Sequence, residues 1–313
     1  MDRADVCVLL PTYNEAETIG EVIDGYRREG FTDILVVDGE STDGTQTIAA
    51  EHGARVVIQS GTGKGQAVRE AIEHIDAEYV LMADGDGTYR PGDADAMLAP
   101  LEAGYEHVIG DRFANMKPGS MTRLNRLGNR VVNRAFAYIH GRDLRDILSG
   151  YRAFTRRSFA RLALSADGFG IETEMAVECV KRDVKTKVVP ITYRPRPDGS
   201  DTNLHPLRDG GIIFLELYRR AKTNNPLFYF GSVGLLSTMS GALLAVYVAV
   251  EWITQRISHE VIAVVAAAAI IFGVQLLMFG VLSDMIFTLH REQLQKIEEI
   301  EERPPRLERK QRP

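Results

Sequence analysis

Short apolar runs alternate with amphipathic stretches over residues 1–205. VCVLL (6–10), DILVVD (33–38), ARVVIQ (54–59), YVLMAD (79–84) and HVIG (107–110) are β-branched runs of strand length. Helical patterns lie between them. Residues 15–29 place Ile19, Val22, Ile23 and Tyr26 on one face, and STDGTQTIAAEHG forms a helix stopping at Gly53. The runs are continuously apolar rather than alternating, as strands are when both faces of a sheet are covered. This predicts an α/β head with a mostly parallel sheet of βα units and right-handed crossovers. Ligands bind such sheets beyond the carboxyl ends of the strands, so the polar residues that end each run are the candidates for chemistry.

The pattern then changes. Residues 227–250 and 261–283, runs of 24 and 23, contain no charge. Each is long enough to cross about 30 Å of hydrocarbon as a helix, whereas a soluble helix of that length keeps a polar face. The expected division is an α/β head (1–205), an interfacial amphipathic helix (206–225), a transmembrane hairpin (226–283) and a helical tail (284–313). The interfacial segment sets Ile212, Ile213, Phe214, Leu215 and Leu217 against Arg219, Arg220 and Lys222. The tail repeats Ile286, Leu289, Leu294, Ile297 and Ile300, a face on which copies could pair. Arg219, Arg220 and Lys222 precede the hairpin, Arg291 and Lys296 follow it, and the connection holds only Arg256 as a basic residue. The positive-inside rule therefore puts the head and both termini in the cytoplasm, on the cell membrane. MDRADVCVLL is no signal peptide.

Composition narrows the class. A chain of 313 residues with 45% hydrophobic content is neither disordered nor collagen-like. Two cysteines, Cys7 and Cys179, are too few for a disulfide framework or a thiolate zinc site. The head is acidic, with 25 positive and 32 negative side chains, yet from Arg112 to Arg157 there are eleven basic residues and only two acids. Within that belt Arg123, Arg126, Arg130 and Arg134 form one helical stripe, beside an apolar stripe of Leu124, Leu127, Val131, Ala135 and Tyr138. A solvated face and a face turned to anionic lipid headgroups and a lipid-borne phosphate are both compatible with the stripe, and the second is favoured. Nucleic acid is not an expected partner of an acidic head without a binding motif.

Three strand ends are acidic and glycine-punctuated: Pro11-Thr12-Tyr13-Asn14-Glu15, Asp38-Gly39-Glu40-Ser41-Thr42-Asp43-Gly44 and Asp84-Gly85-Asp86-Gly87-Thr88. Such turns on one sheet edge need a cation or hydrogen-bond donors to balance them. Asp-x-Asp can aim two carboxylates at one hard divalent ion, leaving other positions for phosphate oxygens and water. Gly61-Thr62-Gly63-Lys64-Gly65 imitates a P-loop but lacks the hydroxyl residue after the lysine. Lys64 is better read as opening a helix.

PTYNEAETI, VVDGESTDGT, GKGQAVREAI and ADGDGTYRP resemble family 2 glycosyltransferases of the GT-A fold. DILSGYRAF and the two C-terminal spans narrow the resemblance to polyprenyl-phosphate sugar synthases, nearest the archaeal dolichyl-phosphate hexosyltransferases that begin N-glycan assembly. The resemblance implies that Pro11, Tyr13 and Glu15 surround the nucleobase and ribose. It implies that Asp38 binds the nucleoside with Asp43 in the same turn, that Lys64 starts its helix beside the nucleotide, and that Asp84 and Asp86 hold Mg2+ or Mn2+ on the diphosphate. Arg112, Ser149 and Arg152 match positions lining the phosphate end of the cleft, with Asp86, Arg112 and Arg152 expected to be catalytic. Thr88 stands where some relatives place a further metal ligand, Gln. ITYRPRPDGSDTNLHP keeps Arg196 and Gly199 of a basic element but lacks its lysine, so either Arg194 substitutes or the loop is arranged differently.

The implied reaction is inverting transfer of a hexose, glucose from UDP-glucose being favoured, to a polyprenyl or dolichyl phosphate. Mannose from GDP-mannose and a hydroxyl acceptor are the alternatives. Glu172 and Glu174 either serve as a base for a hydroxyl or are favourable acids in a helix's first turn. A processive polysaccharide synthase, a transporter and a non-catalytic nucleotide binder fit less well. Two spans make a poor conduit, Gln275 is the one notable intramembrane polar residue, and mere binding gives no reason to keep both Asp84 and Asp86.

Overall fold

The computed structural model describes residues 1–165, 170–197, 218 and 225–301, with side chains past 289 described only at Gln293. The chain divides into two compact units, Met1–Leu217 and Tyr218–Pro313. The expected interfacial helix lies outside the described residues except at Tyr218 and Asn225.

The first unit is a seven-stranded sheet in the order β3-β2-β1-β4-β6-β5-β7. Its strands are β1 (Val6–Thr12), β2 (Asp33–Asp38), β3 (Arg55–Ile58), β4 (Tyr79–Met82), β5 (His107–Met116), β6 (Arg152–Thr155) and β7 (Thr186–Tyr193). The helices are α1 (Ile19–Arg28), α2 (Thr45–Glu51), α3 (Lys64–Ala71), α4 (Ala94–Glu102), α5 (Arg123–His140), α6 (Arg156–Arg161) and α7 (Ile171–Lys181). The long apolar helices of the second unit are α8 (Pro226–Gln255) and α9 (Glu260–Glu301).

Alternate residues of the central strands feed different cores, because successive side chains of a strand point to opposite faces. Val6, Val8, Leu10, Ile34 and Val36 pack with α1 and α4, through Ile19, Ile23, Tyr26, Met97 and Leu98. Cys7, Leu9, Leu35 and Val37 pack with α3, α6 and α7, through Val68, Phe159, Met175 and Cys179. Both faces are covered, which is why the runs are apolar throughout.

The sheet is mostly parallel, as expected, with one reversed strand. β6 runs antiparallel to both of its neighbours, with Met82 opposite Arg152 and Ile109 opposite Arg152. The other strands share one direction. A reversed strand brings its beginning, rather than its end, to the carboxyl edge of the sheet. Gly150 thereby arrives beside Asp84, the residue two places beyond the end of β4. β5 also extends past the expected residue 110 to Met116, with an irregular register against β7 between Asp111 and Asn115.

In the second unit α8 and α9 are long and apolar enough to cross a membrane, by length and composition. Their backbones approach closely at small residues. A Cβ on Gly234 would lie 2.6 Å from the Gly273 carbonyl oxygen, and one on Gly241 would lie 2.7 Å from that of Ala266. Ser237 Oγ donates to the Ala269 carbonyl at 2.8 Å. Small residues and interhelical hydrogen bonds of this kind hold helices together where lipid removes the hydrophobic drive. Of the helical tail expected over 284–313, the described part continues α9 to Glu301.

Candidate active site at the carboxyl edge of the sheet

The turns after β1, β2 and β4 are interlocked. From the first turn, the Asn14 amide donates to Ser41 Oγ at 2.8 Å, the Glu15 amide to Thr45 Oγ1 at 2.9 Å and the Ala16 amide to Asp43 Oδ2 at 3.0 Å. The Thr42 amide returns a bond to Asn14 Oδ1 at 2.9 Å. Asn14 and Glu40 both take left-handed backbone conformations, φ 54° and 62°, to make these approaches. Thr18 Oγ1 reaches the third turn, donating to the Gly85 carbonyl at 2.7 Å. Gly85 itself has no room for a side chain, since a Cβ there would lie 2.8 Å from Thr12 Cγ2. Pro11 is buried in β1, Gly39 approaches the Tyr13 ring, and Tyr13 is 53% exposed, an open aromatic face above the second turn.

Asp38 is fully buried, and its carboxylate is already filled. It accepts from Thr12 Oγ1 (2.9 Å), the Ser41 amide (2.8 Å), Ser41 Oγ (2.6 Å) and Gln46 Nε2 (2.7 Å). A carboxylate offers about four lone-pair sites, so this residue shapes the turn rather than offering an open oxygen to a nucleoside. Asp43 likewise accepts from Thr45 and Ala16 and fixes the start of α2.

Asp84 and Asp86 sit together beyond β4. Asp84 Oδ1 pairs with Lys64, whose ammonium also pairs with Glu172. Burial opposes charge on Lys64, but the carboxylates of Asp84 and Glu172 outweigh it and hold its pKa above the ordinary lysine value. The other Asp84 oxygen lies against Gly150, where a Cβ would fall 2.6 Å away. Asp86 Oδ1 accepts from the Thr88 amide at 3.0 Å and Thr88 Oγ1 at 2.6 Å, while Oδ2 pairs with Arg196 at 2.8 Å. Burial, then the neighbouring Asp84 charge, raises the Asp86 pKa. Burial and Asp86 push Glu15 up to about 7 against the pull of Arg196, with Asp84 adding to the rise.

Five expected site residues, Glu15, Lys64, Asp84, Asp86 and Arg196, are thus assembled at one edge. Arg196 arrives because the Arg194 amide donates to the Thr88 carbonyl at 2.9 Å, tying the end of β7 to the third turn. Among the described residues no three or more metal-ligating side chains gather in one group. The donor set still suits a hard cation. Two carboxylates lie at a strand end where their mutual repulsion already raises a pKa, and a divalent ion bound there would take its remaining oxygens from diphosphate and water.

The arginines expected beside the acceptor phosphate are placed differently. Arg152 is fully buried. Its Nε donates to the Ser149 carbonyl (2.9 Å), and its Nη2 to the carbonyls of Ile147 (2.7 Å) and Glu172 (2.8 Å). Its Nη1 lies 3.2 Å from His107 Nε2, and burial followed by the Arg152 charge drives the His107 pKa well below its ordinary value. A guanidinium so engaged organises the polypeptide around β6 and presents no free donor edge to a ligand. Ser149 is buried in that same turn. Arg112 is bound by Asp146 in a fork, Nε to Oδ2 and Nη2 to Oδ1, both at 2.8 Å. It lies over the Tyr193 ring at 5.4 Å.

Sequence reasoning missed two residues here. Tyr89 is buried, accepts from the Gly150 amide at 2.9 Å and stacks on Tyr151, so it holds the Gly150 turn against Asp84. Gln59, at the end of β3, donates to the Gly61 carbonyl at 2.9 Å and keeps a buried, unpartnered Oε1 beside the second turn. Tyr89 follows the Asp-x-Asp turn closely enough to have been suspected. Nothing in the sequence distinguishes Gln59 from any polar strand end.

The glycosyl transferase family 2 model matches residues 7–163, the stretch that contains all three acidic turns and β6. The chain belongs to glycosyltransferase family 2. Within it, the chain is 72% identical to glycosyltransferase AglJ of Haloferax volcanii, over 95% of this chain and 98% of that protein. It is 33% identical to a dolichyl-phosphate hexose transferase of the same organism, over 67% of this chain and 90% of that protein. Among solved structures, glucosyl-3-phosphoglycerate synthase from Mycobacterium tuberculosis, in complex with Mn2+, UDP-glucose and phosphoglyceric acid, superposes with a TM-score of 0.57 at 25% identity. That likeness covers 69% of this chain and 79% of the synthase. As a family 2 member the protein is a glycosyltransferase with a GT-A-like head and two candidate membrane-spanning helices.

Proposed function

We propose that this glycosyltransferase moves a hexose, glucose from UDP-glucose, onto a polyprenyl or dolichyl phosphate with inversion, an early step of N-glycan assembly. The observation that carries this reading is the meeting of Asp84 and Asp86 with Lys64 and Arg196 at the carboxyl edge. Paired carboxylates beside paired cations suit a metal-bound diphosphate. The nature of the relatives supports the donor and acceptor: one is a dolichyl-phosphate hexose transferase, and a structural neighbour binds UDP-glucose with Mn2+.

A phosphomonoester has a second pKa near 6, so close to neutral pH the acceptor is mostly dianionic and already nucleophilic. No side chain has to remove a proton, and the protein's task is positioning and charge stabilisation. Asp84 and Asp86 would hold Mg2+ or Mn2+, which when bound supplies Lewis-acid stabilisation of the departing diphosphate. Lys64 and Arg196, which pair with those carboxylates, would supply positive charge beside the phosphate oxygens. Tyr13 offers its exposed ring to the base. Arg112, locked by Asp146, fixes the wall beside Tyr193 and Tyr89. Glu172, paired with Lys64, serves as its counter-charge, which favours the phosphate acceptor over a hydroxyl needing a base. By the positive-inside rule, the basic flanks of the two candidate spans support a cytoplasmic head and termini.

The test supplies purified full-length protein with UDP- or GDP-sugars, polyprenyl phosphate and Mg2+ or Mn2+, and follows label into lipid. Metal-dependent formation of a lipid-phosphate hexose, abolished by Asp86→Asn, is expected. Transfer that is indifferent to chelation, or that goes to a hydroxyl acceptor, overturns the reading. A preference for GDP-mannose would replace the donor and leave the rest.

A further inference from the structure

Gln275 stands where a polar side chain is least at home. It lies on α9 in the middle of the candidate span Glu260–Leu289, fourteen residues from both Val261 and Leu289. That is about 21 Å of helix in either direction, more than the ~15 Å half-thickness of a hydrocarbon core, so its amide does not reach headgroup water. α9 meets α8 through Ala266, Gly273 and Gly280. At 3.6 residues per turn Gln275 falls on the opposite side of the helix, where it is exposed. Among the described residues its amide makes no hydrogen bond, whereas the hydroxyls of Ser232, Ser237 and Thr238 on α8 each donate to a carbonyl. An amide left bare in hydrocarbon is costly, and such residues turn toward a partner.

The residues around it recur at alternating spacings of four and three. Val264, Ala268, Ile271, Met278, Leu282 and Met285 share one line with Gln275, and all are exposed. A mean spacing of 3.5 is the seam of a left-handed helix pair. Contact with lipid asks only that such a line be apolar. A single polar residue within the seam is the device that fixes register and copy number, at a cost in stability. The amide also names its partner. It carries two donors and an acceptor, so another amide is its complement. Copies inserted with one topology are related by an axis along the membrane normal, which sets each seam residue opposite its own image. Gln275 then meets Gln275, donor to acceptor in both directions.

We propose that α9 forms a parallel pair with α9 of a second copy of this chain, with Ile271, Met278 and Leu282 packed across the axis and the two Gln275 amides hydrogen-bonded at its centre. The proposal goes beyond the reading of the active site and is measured without sugar transfer. Full-length protein carrying Ile271→Cys, Met278→Cys or Val281→Cys is reconstituted in phosphatidylcholine vesicles and oxidised with copper phenanthroline. Val281 is exposed on the flank of the helix, off the seam, and serves as the control. Cys7 and Cys179 are buried and do not compete. Association is read separately by energy transfer between donor- and acceptor-labelled copies as lipid is added, the label being carried by Glu51→Cys on the exposed side of α2.

A disulfide-linked dimer is expected at 271 and 278 and not at 281. Energy transfer should rise linearly with the acceptor fraction, as a pair requires. Gln275→Leu places an apolar side chain on an exposed apolar line and should fold as the native chain does. It should weaken association about tenfold, with Gln275→Asn between the two. Trapping at 281 that equals trapping at 278 overturns the proposal, because the contact would then lie on another face. So does association that is unchanged in Gln275→Leu. Energy transfer no higher than random mixing predicts also overturns it, and leaves the amide to a partner other than a second copy.

Discussion

Arg152 gives the sharpest test of how the site is built, because its sequence position suggested a catalytic cation and its surroundings say otherwise. Arg152→Met removes the donors to three carbonyls, those of Ile147, Ser149 and Glu172, inside a fully buried environment. Leaving one buried acceptor unsatisfied costs about 1–3 kcal/mol. With partial relaxation the total should be about 3–5 kcal/mol, a large fraction of the ~5–15 kcal/mol that stabilises a domain. Cys7 and Cys179 provide the assay. Both are buried free thiols in the head, and burial pushes the Cys179 pKa up to about 12. A thiol-reactive dye therefore reports head unfolding on heating, without interference from the apolar helices. The variant should release both thiols at a markedly lower temperature. Activity measured well below that temperature should be reduced no more than the folded fraction is, and Arg152→Lys, which can keep one carbonyl bond, should lie between. An unchanged release temperature together with a hundredfold loss of transfer would refute the structural assignment and restore Arg152 to the ligand.

Gly150→Ala should cost at least tenfold in activity with little loss of stability, because its Cβ would push Asp84 by a fraction of an ångström and ~1 Å of misplacement can cost about a hundredfold; equal kcat in both proteins would contradict this. Lys64→Met strands Glu172 and Asp84, and the double variant with Glu172→Gln should be more stable in thiol release than the single one, since removing one partner of a buried pair is worse than removing both. Gly273→Leu should open the α8–α9 pair, read as faster proteolysis or lost cross-linking between cysteines placed at 237 and 269, while the head's thiol release is unchanged.

The central strands were legible because a short, continuously apolar, β-branched run between turn residues fits little besides a strand covered on both faces. β6 was not. Only Ala153 and Phe154 of its four residues are apolar side chains, and it opens with an arginine that sequence alone assigns to the basic belt. β7 is an edge strand, alternating in burial and carrying Pro190, so it lacked the continuous signature. The acidic turns were readable as a group, since three glycine-punctuated carboxylate clusters on strand ends share an edge. What each carboxylate touches was not readable. Asp38 and Asp86 carry the same side chain in similar turns, yet Thr12, Ser41 and Gln46 saturate the first while Arg196 and Thr88 leave the second strained by its neighbour. Several of those partners come from residues distant along the chain, and periodicity carries no information about them. Arg196 was found by motif, although the loop that follows it lies outside the described residues.

The reversed strand has a consequence for how this scaffold tolerates change. Residues spliced in after Thr155 would emerge at the rear of the sheet, remote from Asp84, and lengthen a connection that touches no ligand. The same insertion ahead of Gly150 would be delivered to the carboxyl edge beside Asp84. Loop diversification aimed at new acceptors should therefore target the segment upstream of β6, even though in every other strand of this sheet it is the downstream segment that emerges at that edge.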